Sequence, residues 1–169
     1  MVAAVLAAVV ALALIRRDDG QPALGDPTVA VVTDVVDGDT LAVSLAGGNE
    51  RVRLIGVDTP ESVAPDRPVQ CYGHEASDAL AGMAPEGTRL RLVLDQEARD
   101  RFGRLLAYAY RVDDDLFLNR WLVSEGYGAT LVFEPNTAHA AEFSRLESEA
   151  RAAGRGLWGA CDGPDQPLE

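Results

Sequence analysis

The chain has 169 residues, 47% hydrophobic and 25% charged, the composition of a soluble globular domain, which excludes extended disorder in its body. Its cations are all Arg, and 27 acidic residues against 15 basic ones leave a net charge of -12. That balance argues against a tight, non-specific nucleic-acid binder, because phosphate affinity comes largely from Lys and Arg. It leaves room for brief contact through a local cluster of cations or a bound metal.

Residues Val2 to Ile15 are uniformly apolar. The run falls short of the roughly 20 residues of a membrane span and matches the apolar region of a signal peptide. No basic stretch precedes it, Arg16 and Arg17 follow it, and Ala11-Leu12-Ala13 is a weak cleavage signal. Residues 1–17 therefore read as a signal peptide or a membrane anchor, and both place the remainder in a secreted or extracytoplasmic setting. Residues 18–27 are polar with Gly and Pro, a linker.

From Thr28 the pattern turns to short β-rich runs. Thr28 to Val36 and Thr40 to Leu45 alternate, Ala46-Gly47-Gly48-Asn49 is a hairpin turn, and Arg51 to Val57 alternates again. These runs predict a three-strand meander. Ser62 to Gln70, with Pro65 and Pro68, reads as a loop. Tyr72 to Met83 carries Ala76, Ala79, Leu80 and Met83 at helical spacing. Thr88 to Leu94 is a fourth strand, with Arg89 and Arg91 on its outer face, and Arg104 to Val112 is a fifth. Leu116 to Glu125 and Ala138 to Ala153 predict two more helices, the latter with Phe143, Leu146 and Ala150 on one stripe. Leu157-Trp158 should fold back on the body.

This order predicts an α+β domain over residues 28–161, a five-stranded OB-fold β-barrel with three α-helices, followed by a flexible tail at 162–169. Cys71 and Cys161 are a disulfide candidate, since distant cysteines in an exported chain are often paired; two buried free thiols are the alternative. Without CxxC spacing or clustered His they are not a metal site.

The chemistry lies in the carboxylates. Asp37-Gly38-Asp39-Thr40 forms the turn between the first two strands, and Asp58-Thr59-Pro60-Glu61 follows the third. A meander brings Asp39, Asp58 and Glu61 to one end of the sheet. Gathered carboxylates repel and need a cation. Oxygen ligands without His or Cys suit calcium or magnesium. Taken singly, these are an ordinary turn and an ordinary strand exit; taken together, with Arg53 just upstream of Asp58, they read as a site.

Val36-Asp37-Gly38-Asp39-Thr40, Arg53-Leu54-Ile55-Gly56-Val57-Asp58-Thr59-Pro60-Glu61, Tyr72-Gly73-His74-Glu75-Ala76-Ser77 and Asp100-Arg101-Phe102-Gly103-Arg104-Leu105-Leu106-Ala107-Tyr108 resemble the successive motifs of the staphylococcal nuclease family. The likeness runs from about Val29 to Trp158, in the same order. It implies an OB-fold barrel and calcium-dependent hydrolysis of DNA and RNA phosphodiesters to 3′-phosphates. It implies that Asp39, Asp58 and the backbone carbonyl of Thr59 hold calcium, that Glu61 activates the attacking water, and that Arg53 and Arg104 meet the phosphate. Substrate contacts then fall to Arg101, Phe102, Leu131 and Phe133.

The sequence departs from the family at Phe102, where a phosphate-contacting tyrosine is expected, and at Leu131 and Phe133, in place of base-pocket tyrosines. The loop Ser62 to Gln70 has only Arg67 where the family is rich in Lys. These changes predict weaker ground-state binding with the chemistry intact. His74 and His139 read as surface or capping residues, Asn119 and Trp121 as helix packing, and Arg89, Arg91 and Arg99 as a solvated face rather than a phosphate track. Glu134-Pro135 resembles a family site with a cis bond, although trans is the default. The chain reads as a monomer without an obligate protein partner, apart from membrane anchoring through residues 1–17 if that segment is retained. The competing readings are an inactive OB-fold module that binds nucleic acid or protein, and a metal-dependent hydrolase of another phosphate ester.

Overall fold

The computed structural model describes residues 27–63, 68–161, 163, 164 and 166. The apolar segment at 1–17, the linker up to 26, Arg67 and most of the tail lie outside the described residues. Among the described residues no helix is long and apolar enough to cross a membrane.

Strand β1 (Thr28–Asp37) buries Ala30 and Val32 and exposes Val29 and Val31, the alternation the sequence predicts. It turns through Gly38 into β2 (Thr40–Leu45). A Cβ on Gly38 would lie 2.7 Å from the Thr59 hydroxyl and 2.8 Å from the Ala76 methyl, so this turn closes tightly only on glycine. β2 pairs with β3 (Gly48–Leu54) in a register that sets Thr40 opposite Arg53 and Leu45 opposite Gly48. β5 (Arg89–Val93) pairs antiparallel with β1 and with β6 (Leu105–Arg111), and β6 runs parallel to β3. The order β1-β2-β3-β6-β5 closes the five-stranded barrel expected from the element order. Its interior holds Leu41, Val43, Val52, Leu54, Leu90 and Leu105, all essentially inaccessible to water.

The predicted third strand is two strands. β3 ends at Leu54, the chain turns at Ile55, and β4 (Gly56–Asp58) leaves the barrel to pair with β7 (Ala129–Leu131). The break has two causes. Gly56 takes φ 79°, and a Cβ there would sit 2.6 Å from the Phe143 ring. Asn119, fully buried, supplies the missing ladder bonds: Nδ2 donates to the carbonyls of Ile55 (2.8 Å) and Ala107 (3.2 Å), and Oδ1 accepts the Ala109 N–H (2.9 Å). The packing role expected for Asn119 is thus a hydrogen-bonding one. Strand β7 was not foreseen, because three residues are too few to show alternation.

Helices α1 (Gly73–Met83), α2 (Leu118–Ser124) and α3 (Ala140–Ala152) fall within a few residues of their expected bounds, and α4 (Leu157–Ala160) folds Leu157 into the core. Phe143, Leu146 and Ala150 of α3 are buried as one stripe. Trp121 stacks on Tyr127 at 5.1 Å. His74 is exposed. His139 occupies the N-cap position of α3 and is partly exposed; without a side-chain cap bond, its ring stacks on Phe143 (5.7 Å) and meets Tyr108 edge-on (4.6 Å), while Nδ1 lies 3.1 Å from Glu142. Arg89, Arg91 and Arg99 are each paired with an acid, Asp113, Asp115 and Glu50 respectively. The Glu134–Pro135 bond is cis.

Cys71 and Cys161 are bonded across 90 residues, joining the start of α1 to the end of α4. Closing a loop of that length removes unfolded-state entropy worth about 4–5 kcal/mol in the chain-entropy model. The Cys71→Ser/Cys161→Ser protein is therefore expected to lose a large part of its unfolding free energy. Urea unfolding of the two proteins measures the difference; equal midpoints would show that the bridge contributes nothing.

Candidate active site

The β2–β3 register builds the site. Asp39 closes the β1–β2 turn, where the Asp37 carboxylate accepts its N–H (3.0 Å) and its carbonyl accepts the Leu54 N–H (2.9 Å). Its side chain is 8% exposed. One carboxylate oxygen accepts the Thr40 hydroxyl (3.1 Å), and the other accepts the N–H (3.1 Å) and hydroxyl (3.2 Å) of Thr59. Arg53, one residue short of the end of β3, lies beside it. Its Nη2 is 3.0 Å from Asp39 Oδ2 and 2.9 Å from Asp58 Oδ1. Its Nη1 donates to the carbonyls of Leu54 (3.0 Å) and Val57 (2.6 Å). The turn at Ile55 thus wraps the chain around one guanidinium, and one nitrogen gathers two carboxylates. Burial pushes the Asp39 carboxyl up to about 7, against the opposing pull of Arg53.

Asp39 and Asp58, both paired here with Arg53, offer carboxylate oxygens with no His or Cys beside them, and donors of this kind fit a hard divalent cation. Among the described residues no three Asp, Glu, His or Cys side chains cluster as a metal site. Such an ion would therefore complete its shell with carbonyl, water or substrate oxygens, as hard cations commonly do. Asp39 and Asp58 meet on one nitrogen of Arg53. Glu61 Oε1 turns onto its own loop and accepts the N–H groups of Ser62 (3.0 Å) and Val63 (2.9 Å).

Arg104 approaches from the other side, at the entry to β6. Asp100 aims it: Oδ2 accepts Arg104 Nε (2.7 Å), and Oδ1 accepts the N–H groups of Arg104 (3.0 Å) and Phe102 (2.9 Å). Burial favours protonation of Asp100, but these hydrogen bonds outweigh it and hold the carboxyl below its ordinary range. Arg104 Nη1 lies 3.5 Å from the Thr40 hydroxyl, and that hydroxyl donates to Asp39. Arg53 and Arg104 are thereby linked through one threonine and one aspartate.

The two arginines line an open cleft of about 400 Å³. Arg101, Phe102, Leu131 and Phe133, the expected substrate contacts, line it too. Phe102 and Phe133 are 69% and 72% exposed, which leaves two apolar rings bare in water at the cleft. The guanidinium of Arg101 lies 4.7 Å over the Phe102 ring and that of Arg104 5.6 Å from it, so the ring holds both cations beside the opening. Asp39, Asp58, Thr59 and Glu61 are not among the cleft's lining residues; Arg53 is the side chain that belongs to both the cleft and the carboxylate pair.

Sequence reasoning missed the supports. Asp37, Asp100 and Gln70 carry no signal beyond their place inside or beside motifs. Asn136 and Glu97 line the cleft and are locked together, with Asn136 Oδ1 accepting the Glu97 N–H (2.7 Å) and Nδ2 donating to its carbonyl (2.9 Å). These two residues lie 39 positions apart, and no local pattern announces their meeting.

Residues 51–160 match the family model of staphylococcal nuclease homologues. The chain is 39% identical over 128 residues to a thermonuclease of Staphylococcus intermedius, an alignment covering 76% of this chain and 74% of that protein. It is 36% identical over 127 residues to a thermonuclease of Staphylococcus hyicus, covering 75% and 73%. It is 38% identical over 125 residues to endonuclease YncB of Bacillus subtilis (strain 168), covering 73% of this chain and 58% of that protein.

Proposed function

Because the chain belongs to the staphylococcal nuclease homologue family, we propose that its cleft hydrolyses the phosphodiester bonds of DNA and RNA with calcium, leaving 3′-phosphates. The observation that carries this reading is the pair Arg53 and Arg104 lining one cleft, with Arg53 also holding Asp39 and Asp58. As water attacks, the non-bridging oxygens of a phosphodiester gain negative charge, and two permanently charged planar forks are suited to meet it. Arg104 is aimed by Asp100 before substrate arrives, so little reorganisation is required during the reaction. Glu61 takes the proton of the attacking water. Asp39, Asp58 and the Thr59 carbonyl would hold a calcium ion, which when bound would supply Lewis-acid polarisation and positive charge at the phosphate. Phe102, Phe133 and Leu131 stack or pack against bases, and Arg101 meets the backbone phosphate, with the affinity reduced where tyrosine hydroxyls are missing.

The reading includes export. The apolar run from Val2 to Ile15 and the bonded cysteines support a secreted or extracytoplasmic protein, whether the leader is cleaved or kept as an anchor.

Digestion of end-labelled single- and double-stranded DNA and RNA, with calcium and with excess chelator, tests the function. Cleavage is expected in calcium, and at least a hundredfold less in chelator on the scale of metal-assisted catalysis. Cleavage that survives chelation would remove the ion from the mechanism; no cleavage of any of the four substrates would leave a binding module.

A further inference from the structure

Glu61 sits on a segment that belongs to no helix or strand. A reacting group on such a segment loses rate for every ångström of misplacement, so its main chain needs a fixed support. Gln70 supplies it from both sides. Its side-chain oxygen accepts the Glu61 N–H (2.6 Å), and its own N–H donates to the Glu61 carbonyl (2.8 Å). One residue therefore engages both polar main-chain groups of Glu61. The start of α1 backs this clamp: the Gln70 carbonyl accepts the Gly73 N–H (2.9 Å), and a Cβ on Gly73 would lie 2.5 Å from the Glu61 carbonyl oxygen. The next residue, Cys71, is covalently tied to Cys161, and its N–H donates to the Gln166 carbonyl (2.7 Å). The group that grips Glu61 thus adjoins a cross-link to the far end of the domain.

We propose that Gln70 is a positioning residue that sets the Glu61 carboxylate for its reaction, anchored by the Cys71–Cys161 bridge and the start of α1. The inference rests on the role given to Glu61 above. With the main chain of Glu61 fixed by Gln70, and its Oε1 fixed by the N–H groups of Ser62 and Val63, the second carboxylate oxygen, Oε2, keeps one direction.

The test is a double-mutant cycle read as kcat and KM on a single-stranded DNA oligonucleotide in calcium, with melting midpoints recorded for every protein. Gln70→Ala removes the side-chain acceptor and is expected to lower kcat about 10- to 100-fold, the scale of a misplaced reacting group, with KM little changed. Gln70→Glu keeps an oxygen that accepts the Glu61 N–H and should hold kcat within about threefold of the parent. In a Glu61→Gln background, Gln70→Ala should cause no further loss, because residues that act through one another are not additive. Parental kcat in Gln70→Ala beside an inactive Glu61→Gln overturns the clamp alone. Losses that multiply across the two positions overturn it as well, because they assign Gln70 a general structural role. Full activity in Glu61→Gln overturns the role of Glu61, and this inference with it.

Discussion

Glu61→Gln is expected to lower kcat for calcium-supported DNA hydrolysis by about three orders of magnitude, within the range for loss of a general base. The substitution removes the capacity to take a proton and little else. Gln retains an Oε1 that can accept the N–H groups of Ser62 and Val63, so the loop geometry persists. The main-chain bonds to Gln70 do not involve the changed atoms. KM and the melting midpoint should therefore stay near the parental values while turnover collapses. Steady-state kinetics on a labelled oligonucleotide, paired with thermal unfolding, make the measurement. Undiminished turnover would exclude Glu61 as the base.

Arg53→Ala should fail in two ways at once. Catalysis loses a guanidinium at the phosphate, worth a factor of about a hundred or more. The fold loses the counter-charge of a buried acid. The Arg53 side chain is 12% exposed, and it bonds Asp39, Asp58 and two main-chain carbonyls. Removing one partner of a buried pair costs about 3–5 kcal/mol, less where the remaining group can take a proton, as the buried Asp39 carboxyl would without Arg53. Arg104→Ala is the contrast: its side chain is 28% exposed, and its strong partner, Asp100, keeps the N–H groups of Arg104 and Phe102. That variant should lose turnover with far less change in urea stability. Equal stability losses in the two variants would show that Arg53 has no special share in the fold.

The parts of the molecule legible in its sequence were those written locally. The turn Ala46-Gly47 fixes the β2–β3 register, and that register sets Thr40 against Arg53, so Asp39 and Arg53 follow from one hairpin. The stripe of Phe143, Leu146 and Ala150 gave α3 by its period alone. What escaped depends on partners far along the chain. The division of β3 from β4 needs Phe143 against Gly56 and Asn119 beneath Ile55, 64 residues away, while in sequence only the consecutive Leu54 and Ile55 and the glycine after them mark the break. The turning of Glu61 onto its own loop escaped because a carboxylate can choose a metal or a nearby N–H, and sequence weighs neither. Gln70 reads as a loop residue until its contact with Glu61 is seen.

The pairing of β4 with β7 has a consequence for where a strand would be cut. Asp58 stands opposite Ala129, and Gly56 opposite Leu131, so the acid proposed to hold the ion and the wall proposed to receive a base are parts of the same two-stranded ribbon. Strand residues advance about 3.3 Å each, and a ribbon does not stretch. The separation between the nucleotide that is gripped and the bond that is broken is then set by a rigid ruler. A one-residue insertion in β7 would turn Leu131 to the opposite face of the ribbon and take it out of the cleft wall, while Asp58 stays in place.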